Sequence, residues 1–192
     1  MVKLDRITTG SGDKGTTALA NGTRIAKSSL RVNAYGSVDE LNSLLGVVAT
    51  EELPEPVAAE IGRIQNDLFD LGSDLAAPPR DGKKIKVPRI GPQHIERLEK
   101  ALAKGTEVLE PAPSFVLPGG SKGAAYLHLA RSVARRVERE VWALVEAEPE
   151  AGQVNPHGLT YLNRLSDLCF VWARLCNDGG RSDRLWKPCE NC

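Results

Sequence analysis

Apolar residues recur at intervals of three and four along five segments of this chain. That spacing places side chains on one face of an α-helix, whereas a half-buried strand would alternate with a period of two. The stripes are Val38, Leu41, Leu44, Leu45 and Val48; Val57, Ile61, Ile64, Leu68, Leu71 and Leu75; Ile95, Leu98 and Leu102; Leu127, Ala130, Ala134, Val137, Val141 and Leu144; and Leu159, Leu162, Leu165, Leu168, Val171 and Leu175. No strand-like alternation extends beyond a few residues, so we predict an all-α fold, an up-down bundle of five helices.

Caps and breakers predict where these helices begin and end. Ser37 is the expected N-cap of the first helix, and Glu40, three residues later, completes a capping box. The second helix follows the prolines at 54 and 56 and ends before Pro78. The remaining predictions are a third helix around Ile95, connectors at 79–92 and 105–120, and helices at about 121–148 and 158–177.

The length of 192 residues suits one substantial core and is short for two domains. We therefore expect a single domain over residues 1–192. Residues 1–30 are rich in Gly, Thr, Ser and Asn without periodicity, and we interpret them as an arm. The helical bundle is expected over 37–177, with a C-terminal tail over 178–192.

The charge balance and the apolar runs exclude several classes of protein. The chain has 25 Lys and Arg residues and 25 Asp and Glu residues, so its formal net charge is zero. Nucleic-acid binders normally carry a basic excess, which argues against that class. The apolar runs are too short to span a membrane. The N-terminal MVKLDRITTG lacks the apolar centre of a signal peptide, so we expect a cytoplasmic protein.

Residues 10–15, GSGDKG, spell the pattern G-x-G-x-x-G and nearly match a P-loop. A dinucleotide fingerprint must follow a strand and open a helix, yet the next residues, TTALANGTRIAK, carry no helical stripe. A P-loop requires lysine where Thr16 stands. Both interpretations fail. What remains is either a cradle of glycines, hydroxyls and lysines that suits phosphate oxygens, or an ordinary flexible terminus.

The predicted fourth helix carries a column of arginines. Arg131, Arg135 and Arg139 are four residues apart and border the apolar stripe, while Arg136 lies further round the helix. One interpretation is a solvated face with local Arg–Glu pairs. The other is a site for carboxylate or phosphate, because guanidinium groups bind such oxygens through two parallel hydrogen bonds. Four arginines and no lysine between residues 128 and 140 favour the second interpretation.

Polar residues also lie beside the stripes of two other helices. Asn163, Ser166 and Asp167 share one side of the fifth helix, where buried polar groups need partners. An Arg–Asp link to the fourth helix or an asparagine facing a ligand would both satisfy this need, and the spacing leaves both open. Asp39 and Glu40 open the predicted first helix, where the helix dipole favours acids.

The histidines and cysteines form no recognisable catalytic or metal-binding pattern. Cys169 and Cys176 are predicted to be small core residues on one helix face. Cys189 and Cys192 form a single C-x-x-C without the further ligands of a zinc site, which leaves ordinary thiols, a partial metal or redox site, or a disulfide. The histidines, all expected to be structural or on the surface, are His94, His128 and His157. We predict no metal site made of protein side chains.

Six separated segments carry a family likeness when taken together: TTGSGDKGTT, RIAK, YGSVDELNSLLG, SFVLPGGS, ARSVARRVERE and YLNRLSDLCFVWAR. In order and spacing, over roughly residues 7–175, they resemble the ATP:cob(I)alamin adenosyltransferases of the trimeric, PduO type. The arginine-rich helix and the N-R-L-S-D segment are the most specific parts of this resemblance.

The resemblance implies a five-helix bundle assembled as a homotrimer, with active sites between subunits. It implies transfer of the 5′-deoxyadenosyl group of ATP to the cobalt of cob(I)alamin, with release of triphosphate. Cob(I)alamin is itself the nucleophile, which agrees with the absence of a catalytic base. A Mg²⁺ ion on the triphosphate, held mostly by phosphate and water, is also implied. Further partners would be a reductase and an enzyme that uses adenosylcobalamin.

The resemblance also assigns residues. The ATP-binding residues it implies are Thr9, Gly10, Ser11, Gly12, Thr17 and Lys27 of the arm, and Arg135, Arg136, Glu138, Arg139 and Asn163 of the helices. Arg131 would pair with Asp39 of a neighbouring subunit, and Phe115 would press on the lower face of the corrin and keep the axial base away. Catalysis would therefore depend on Arg135, Phe115, Asp39 and Arg131.

The chain departs from the family pattern in the arm and in the tail. Members usually carry a basic residue where Gly10 stands and threonine where Ser11 stands, so one charge beside the phosphates is missing. The tail contains Trp186, a candidate to help cover the corrin, and ends in cysteines foreign to the family. Two alternatives share the phosphate cradle: an ATP-using helical phosphotransferase, and a non-catalytic trimer that binds nucleotide or cobalamin.

Overall fold

The computed structural model describes residues 8, 10–79, 85–150 and 154–190, and within them the chain forms five helices and a two-stranded sheet. The helices are α1 (Leu30–Val48), α2 (Glu55–Leu75), α3 (Pro92–Glu107), α4 (Lys122–Ala147) and α5 (Pro156–Cys176), and the strands are β1 (Thr16–Ala18) and β2 (Arg24–Ala26). The five predicted helices are confirmed. Their order in space is α2–α1–α4–α5–α3, with α4 packed between α1 and α5.

The predicted stripes form the core of the bundle. Most of their members are buried, and Leu44, Leu102 and Leu175 pack against the core while partly buried. The central helix, α4, also buries alanines, Ala130 and Ala134 among them, where small side chains let helices approach closely. No helix within the described residues combines the length and the apolar character that crossing a bilayer requires.

The first helix begins eight residues earlier than predicted, so the assignment of Ser37, Asp39 and Glu40 to its first turn was wrong. Its N-cap is Ser29, whose side chain accepts a hydrogen bond from the Val32 backbone N–H. The apolar pattern is interrupted at Arg31, which is nevertheless 2% exposed. Its guanidinium donates to the Leu75 carbonyl at 2.6 Å and pairs with Glu148 at 2.5 Å. Because this buried position holds an arginine, the apolar pattern did not indicate the first turn of α1.

The all-α prediction needs a second correction, because part of the arm is a β-hairpin. Strands β1 and β2 pair antiparallel, with Thr17 opposite Ile25. Gly22 has φ +80°, a backbone conformation that glycine adopts readily, and it lies in the connecting turn. The strands have three residues each, too short to show alternation. The hairpin tip is fastened to the end of α2 by a hydrogen bond from Ala20 N–H to the Ala76 carbonyl at 2.9 Å.

A buried carboxylate joins α2 to α3 and α5. Asp67 accepts a hydrogen bond from the Tyr161 hydroxyl at 2.7 Å and forms an ion pair with Arg97. Burial raises the pKa of the Asp67 carboxyl above its ordinary value, and this outweighs the lowering by Tyr161 and Arg97. Buried charge is tolerated here because it is paired and hydrogen-bonded. These bonds help to set the distance between the helices that carry the site.

Candidate active site

The glycine-rich segment forms a compact series of turns that is closed by Lys27. Asp13 N–H donates to the Gly10 carbonyl at 3.3 Å, and Gly15 N–H donates to the Gly12 carbonyl at 3.1 Å. Lys27 N–H then donates to the Gly15 carbonyl at 2.9 Å, which joins the end of β2 to the loop. We call residues 10–17 together with Lys27 the cradle. Thr9, the remaining predicted arm residue, lies outside the described residues.

Two glycines of the cradle are required by its geometry. Gly10 has φ +68°, so glycine occupies without strain a conformation that a basic residue would adopt at a cost. A Cβ at Gly12 would lie 3.0 Å from both Nζ and Cε of Lys27. The missing side chain therefore lets the ammonium group lie against the loop backbone. Such a cluster of backbone groups, hydroxyls and the two ammonium groups of Lys14 and Lys27 suits phosphate oxygens.

A groove of about 520 Å³ runs between α3, α4, α5 and the loop that precedes α4. It is lined by Leu102, Thr106, Ser114, Phe115, Val116, Arg131, Arg135, Ser166, Asp167, Phe170 and Val171. Three of the four residues predicted to be essential, Phe115, Arg131 and Arg135, are thus brought together. The lining combines aromatic and aliphatic side chains with two guanidinium groups and one carboxylate.

Phe115 stands at the mouth of this groove with 77% of its surface exposed, an unusual position for a large apolar side chain. Its ring lies 5.8 Å from that of Trp186, centroid to centroid, with 56° between the planes. The tail reaches this point because Trp186 N–H donates to the Phe115 carbonyl at 2.8 Å. The two rings together give the groove an exposed aromatic edge. The family likeness assigned Phe115 to the corrin, whereas Trp186 was only a candidate to help cover it.

Arg131 has an incomplete set of partners within the described residues. Its Nε is enclosed by protein and has no hydrogen-bond partner there. Asp39, its predicted partner in another subunit, lies exposed on α1, next to Phe69, which is 67% exposed. A buried guanidinium nitrogen without a partner is costly, so this geometry calls for an acceptor from outside the described chain.

The other predicted helical residues separate into two groups. Arg135 and Arg139 are exposed, and Arg139 Nη1 donates to the Arg135 carbonyl at 3.0 Å. Arg136 points to α1, where it pairs with Glu40 and donates to Ser37 Oγ at 3.1 Å. It also pairs with Glu140 of its own helix at 3.0 Å. Its bonds to Glu40 and Ser37 hold α4 against α1.

The link between α4 and α5 is an amide–carboxylate bond, so the Arg–Asp alternative was wrong. Asn163 Nδ2 donates to Glu138 Oε1 at 3.2 Å, and its Oδ1 accepts from Arg164 at 2.7 Å. Asp167 is exposed in the groove. Ser166 Oγ donates to the Asn163 carbonyl at 2.8 Å, as helical serines often do.

His128 is the most enclosed histidine, 2% exposed, and neither ring nitrogen has a hydrogen-bond partner among the described residues. Burial lowers its pKa, helped by Arg131 and opposed by Asp183. Its ring meets Phe170 edge-on at 6.1 Å, so it lies beneath the groove as a neutral packing residue. The described residues contain no group of three His, Cys, Asp or Glu side chains that could hold a metal ion.

Among the described residues, the cradle and the groove share no hydrogen bond. The hydrogen bonds that the described part of the arm makes to the rest of the described chain run to Ala76 and Pro78, just after α2. None reaches α4 or α5. Within the described residues, no hydrogen bond therefore joins the two parts of the predicted ATP site in one copy.

Volume by itself would favour another groove. A space of about 640 Å³ lies between α2, α3 and the end of α5, beside Arg97, Lys100 and Lys104. It contains none of the residues predicted to bind ATP or cobalamin, and it has no exposed aromatic ring. We therefore take the smaller groove as the active-site candidate on its chemistry.

Comparisons with known proteins identify the family of the chain. The family model described as cobalamin adenosyltransferase matches residues 7–176. The corrinoid adenosyltransferase of Mycobacterium leprae is 46% identical over 191 residues, which cover 97% of this chain and 98% of that protein. The cobalamin adenosyltransferase of Cupriavidus metallidurans is 46% identical over 187 residues, or 96% of each chain.

A solved structure supports the fold. A variant of the PduO-type ATP:corrinoid adenosyltransferase from Lactobacillus reuteri, complexed with cobalamin and ATP, superimposes with a TM-score of 0.85. It is 35% identical to this chain, and the match covers 95% of this chain and 97% of the other. The fold and the groove thus define an ATP-using transferase built on a helical bundle. The chain belongs to the cobalamin adenosyltransferase family, and its activity is ATP:corrinoid adenosyl transfer.

Proposed function

We propose that the groove receives cob(I)alamin over Phe115, and that the cradle of a neighbouring copy in a homotrimer presents ATP to it. The observation that carries the proposal is the joint placement of Phe115, Arg131 and Arg135 around one groove. An exposed aromatic ring suits the flat apolar face of a corrin, and guanidinium groups suit a triphosphate. Neither a phosphotransferase nor a simple nucleotide sensor would need both.

The reaction needs no protein base. Cobalt of cob(I)alamin attacks C5′ of ATP and supplies both electrons of the new cobalt–carbon bond. The C5′–O bond breaks, and its electron pair leaves with triphosphate. The protein therefore has two tasks, to hold the two reactants in line and to stabilise the charge of the leaving group. A groove that carries two arginines suits these tasks.

Phe115 and its surroundings would act on the corrin. The ring projects from the loop into solvent and would occupy the lower axial side of cobalt, where it excludes the axial base. Without that ligand cobalt is easier to reduce, which favours the nucleophilic state. Trp186, beside it, would extend the apolar surface under the macrocycle. Among the solved relatives are two variants that replace a phenylalanine and one that replaces an arginine by lysine.

The triphosphate would lie between the cradle and α4. Gly10, Ser11, Gly12 and Thr17 would donate backbone and hydroxyl hydrogen bonds, with Lys27 beside them. Thr9 would precede them in the same loop. Arg135 and Arg139 are exposed and have room for phosphate oxygens. Glu138 and Asn163 already form a hydrogen-bonded pair that would face the nucleoside.

Arg136 has a different role in this proposal from the one assigned by resemblance. Its guanidinium already bonds to Glu40, Glu140 and Ser37, so it is not available to hold a phosphate group. It would instead fix the angle at which α4 presents Arg135. Arg136 would therefore support ATP binding only indirectly, through the position of Arg135.

Assembly as a homotrimer is supported by three features of the chain. Within the described residues no hydrogen bond joins the cradle to the groove, and Arg131 Nε has no partner there. Asp39 and the exposed Phe69 lie on one face of α1 and α2. An Arg131–Asp39 pair between copies would satisfy the buried nitrogen and complete the site.

Mg²⁺ would arrive with ATP. The described residues offer it no preformed three-ligand cluster, but the cradle contains the Asp13 carboxylate and several hydroxyls, the oxygen ligands that Mg²⁺ accepts. The ion would be bound mainly by phosphate oxygens and water, with the cradle positioning that complex. The chemistry it supplies is neutralisation of triphosphate charge. A reductase that supplies cob(I)alamin and an enzyme that consumes adenosylcobalamin would complete the sequence of reactions.

The test is a direct assay. The protein is incubated with ATP, Mg²⁺ and chemically reduced cobalamin; we expect the visible spectrum of a cobalt–carbon bond and one triphosphate per corrinoid. ADP or orthophosphate as the product would overturn the proposal in favour of phosphotransfer, and tight binding without product would indicate a sensor. Phe115→Ala should lose activity, whereas Val108→Ala, at an equally exposed apolar side chain outside the groove, should not.

A further inference from the structure

A buried polar network joins the end of α5 to two loops. Arg174 Nε donates to Asp183 Oδ2 at 2.6 Å, and these side chains are only 10% and 2% exposed. Arg174 Nη2 also donates to the Glu110 carbonyl at 2.8 Å. Asn177 Nδ2 donates to Asp183 Oδ1 at 3.1 Å. We call Arg174, Asn177 and Asp183 the cap network of α5.

We call the segment between α3 and α4, which carries Phe115, the Phe115 loop. The cap network holds its C-terminal end. Asn177 Nδ2 donates to the Gly119 carbonyl at 3.1 Å, and Asn177 Oδ1 accepts from Ser121 N–H at 3.0 Å. Ser121 is in turn the N-cap of α4. One buried asparagine thus connects the loop, the start of α4 and, through Asp183, the tail.

Beyond Asp183 the tail runs back along the Phe115 loop. Leu117 N–H donates to the Arg184 carbonyl at 2.7 Å, and Trp186 N–H donates to the Phe115 carbonyl at 2.8 Å. Ser114 Oγ donates to the Trp186 carbonyl at 2.7 Å. We call residues 114–117 and 184–186 the ribbon. Most of its side chains are exposed, so it has little core of its own to fix its position.

The buried charges explain how an exposed ribbon acquires a defined place. An exposed hydrogen bond contributes little and forms in several registers, whereas a buried ion pair tolerates only the geometry that satisfies all its partners. Gly180 shows how tight that geometry is, since a Cβ there would lie 2.7 Å from Arg174 Nη2. Asp183 accepts from both Arg174 and Asn177, and it lies one residue before the ribbon.

We infer that Asp183 is a positioning residue for corrinoid binding: through the cap network it sets the register of the ribbon and thereby the place of Phe115 over the groove. The inference rests on the proposed role of Phe115. It adds a determinant of substrate placement that lies beneath the groove and does not line it. ATP binding should depend on it much less, because neither Arg135 nor Arg139 nor the cradle makes a hydrogen bond to the cap network within the described residues.

The test compares Asp183→Asn with Asp178→Asn. Both remove one carboxylate that pairs with an arginine, but Asp178 and its partner Arg181 are 60% and 74% exposed. For Asp183→Asn we expect the KM for corrinoid to rise about tenfold and the KM for ATP to change much less, with the backbone amides of Leu117 and Trp186 losing protection from hydrogen exchange. Asp178→Asn should match the unsubstituted protein in all three measurements.

A milder variant keeps the test valid if Asp183→Asn folds poorly. Ser114→Ala removes only the hydroxyl bond to Trp186 within the exposed ribbon, so the bundle should keep its melting temperature while the corrinoid KM rises by a smaller factor. Unchanged protection of both amides in Asp183→Asn would overturn the inference. Lost protection with an unchanged corrinoid KM would overturn it too. If Phe115→Ala also left that KM unchanged, the fault would lie in the proposed role of Phe115.

Discussion

Replacement of Gly120 by alanine should be much more harmful than the same change at its neighbour Gly119. Gly120 has φ +102°, and a Cβ there would lie 2.5 Å from Asn177 Cγ. Gly119 has φ +146°, but a Cβ there would meet nothing within 4 Å. Both substitutions strain the backbone, and only one of them displaces the asparagine that joins the Phe115 loop to α4.

The magnitude follows from what each change removes. Backbone strain at a glycine-only conformation costs about 1–3 kcal/mol, and this cost is common to both variants. Gly120→Ala also breaks the hydrogen bonds from Ser121 N–H to Asn177 and from Asn177 to the Gly119 carbonyl. At about 1 kcal/mol for each bond, Gly120→Ala should lose about 2 kcal/mol more unfolding free energy than Gly119→Ala.

Urea unfolding of the two variants, followed by circular dichroism, measures this difference. The corrinoid KM should rise in Gly120→Ala and much less in Gly119→Ala, because Phe115 sits on the same loop. Equal unfolding free energies for the two variants would show that Asn177 can move away without loss, and the account of the loop given above would then be wrong.

Three further predictions concern the groove and the core. Arg135→Ala should lose most activity while the assembly measured by sedimentation stays intact; full activity would refute its proposed contact with triphosphate. Arg131→Ala should weaken both assembly and turnover, and an unaffected assembly would count against a pair with Asp39. Burial raises the pKa of the Cys169 and Cys176 thiols from 9.0 to about 12 and about 11, so the folded chain keeps protons that the unfolded chain releases. Stability should therefore fall as pH rises above about 9, and native Cys169 should resist alkylation at pH 8, as mass spectrometry would show.

Sequence reasoning located the helices because their signal is local. A helix buries one stripe, and the spacing of its apolar residues is written in consecutive positions, so α2, α4 and α5 were placed within a few residues. It failed at the start of α1, where Arg31 occupies a buried position. That position is tolerated because partners distant in sequence, the Leu75 carbonyl and Glu148 among them, satisfy the guanidinium.

The residues of the site were named from motifs, but their arrangement was not. The sequence favoured phosphate chemistry for the arginine column and left a phosphate cradle as one of two interpretations of the glycine loop, and its family likeness pointed to Phe115. It could not show that Arg136 turns to α1, nor that the hairpin docks beside Ala76 and away from α4. Side-chain partners depend on which helices become neighbours, and that information is not contained in any single segment.

The sequence by itself determined the number of helices, the family and the chemical character of the groove, because these depend on residue types at short, regular spacings. Only the tertiary structure decided that the tail pairs with the Phe115 loop and that Asp183 is buried beneath it. Contacts of that kind join residues more than 60 positions apart, as in the bond from Arg174 to Glu110. Their existence depends on packing α3, α4 and α5 into one core, and this packing places a loop, a helix end and a tail within hydrogen-bonding distance.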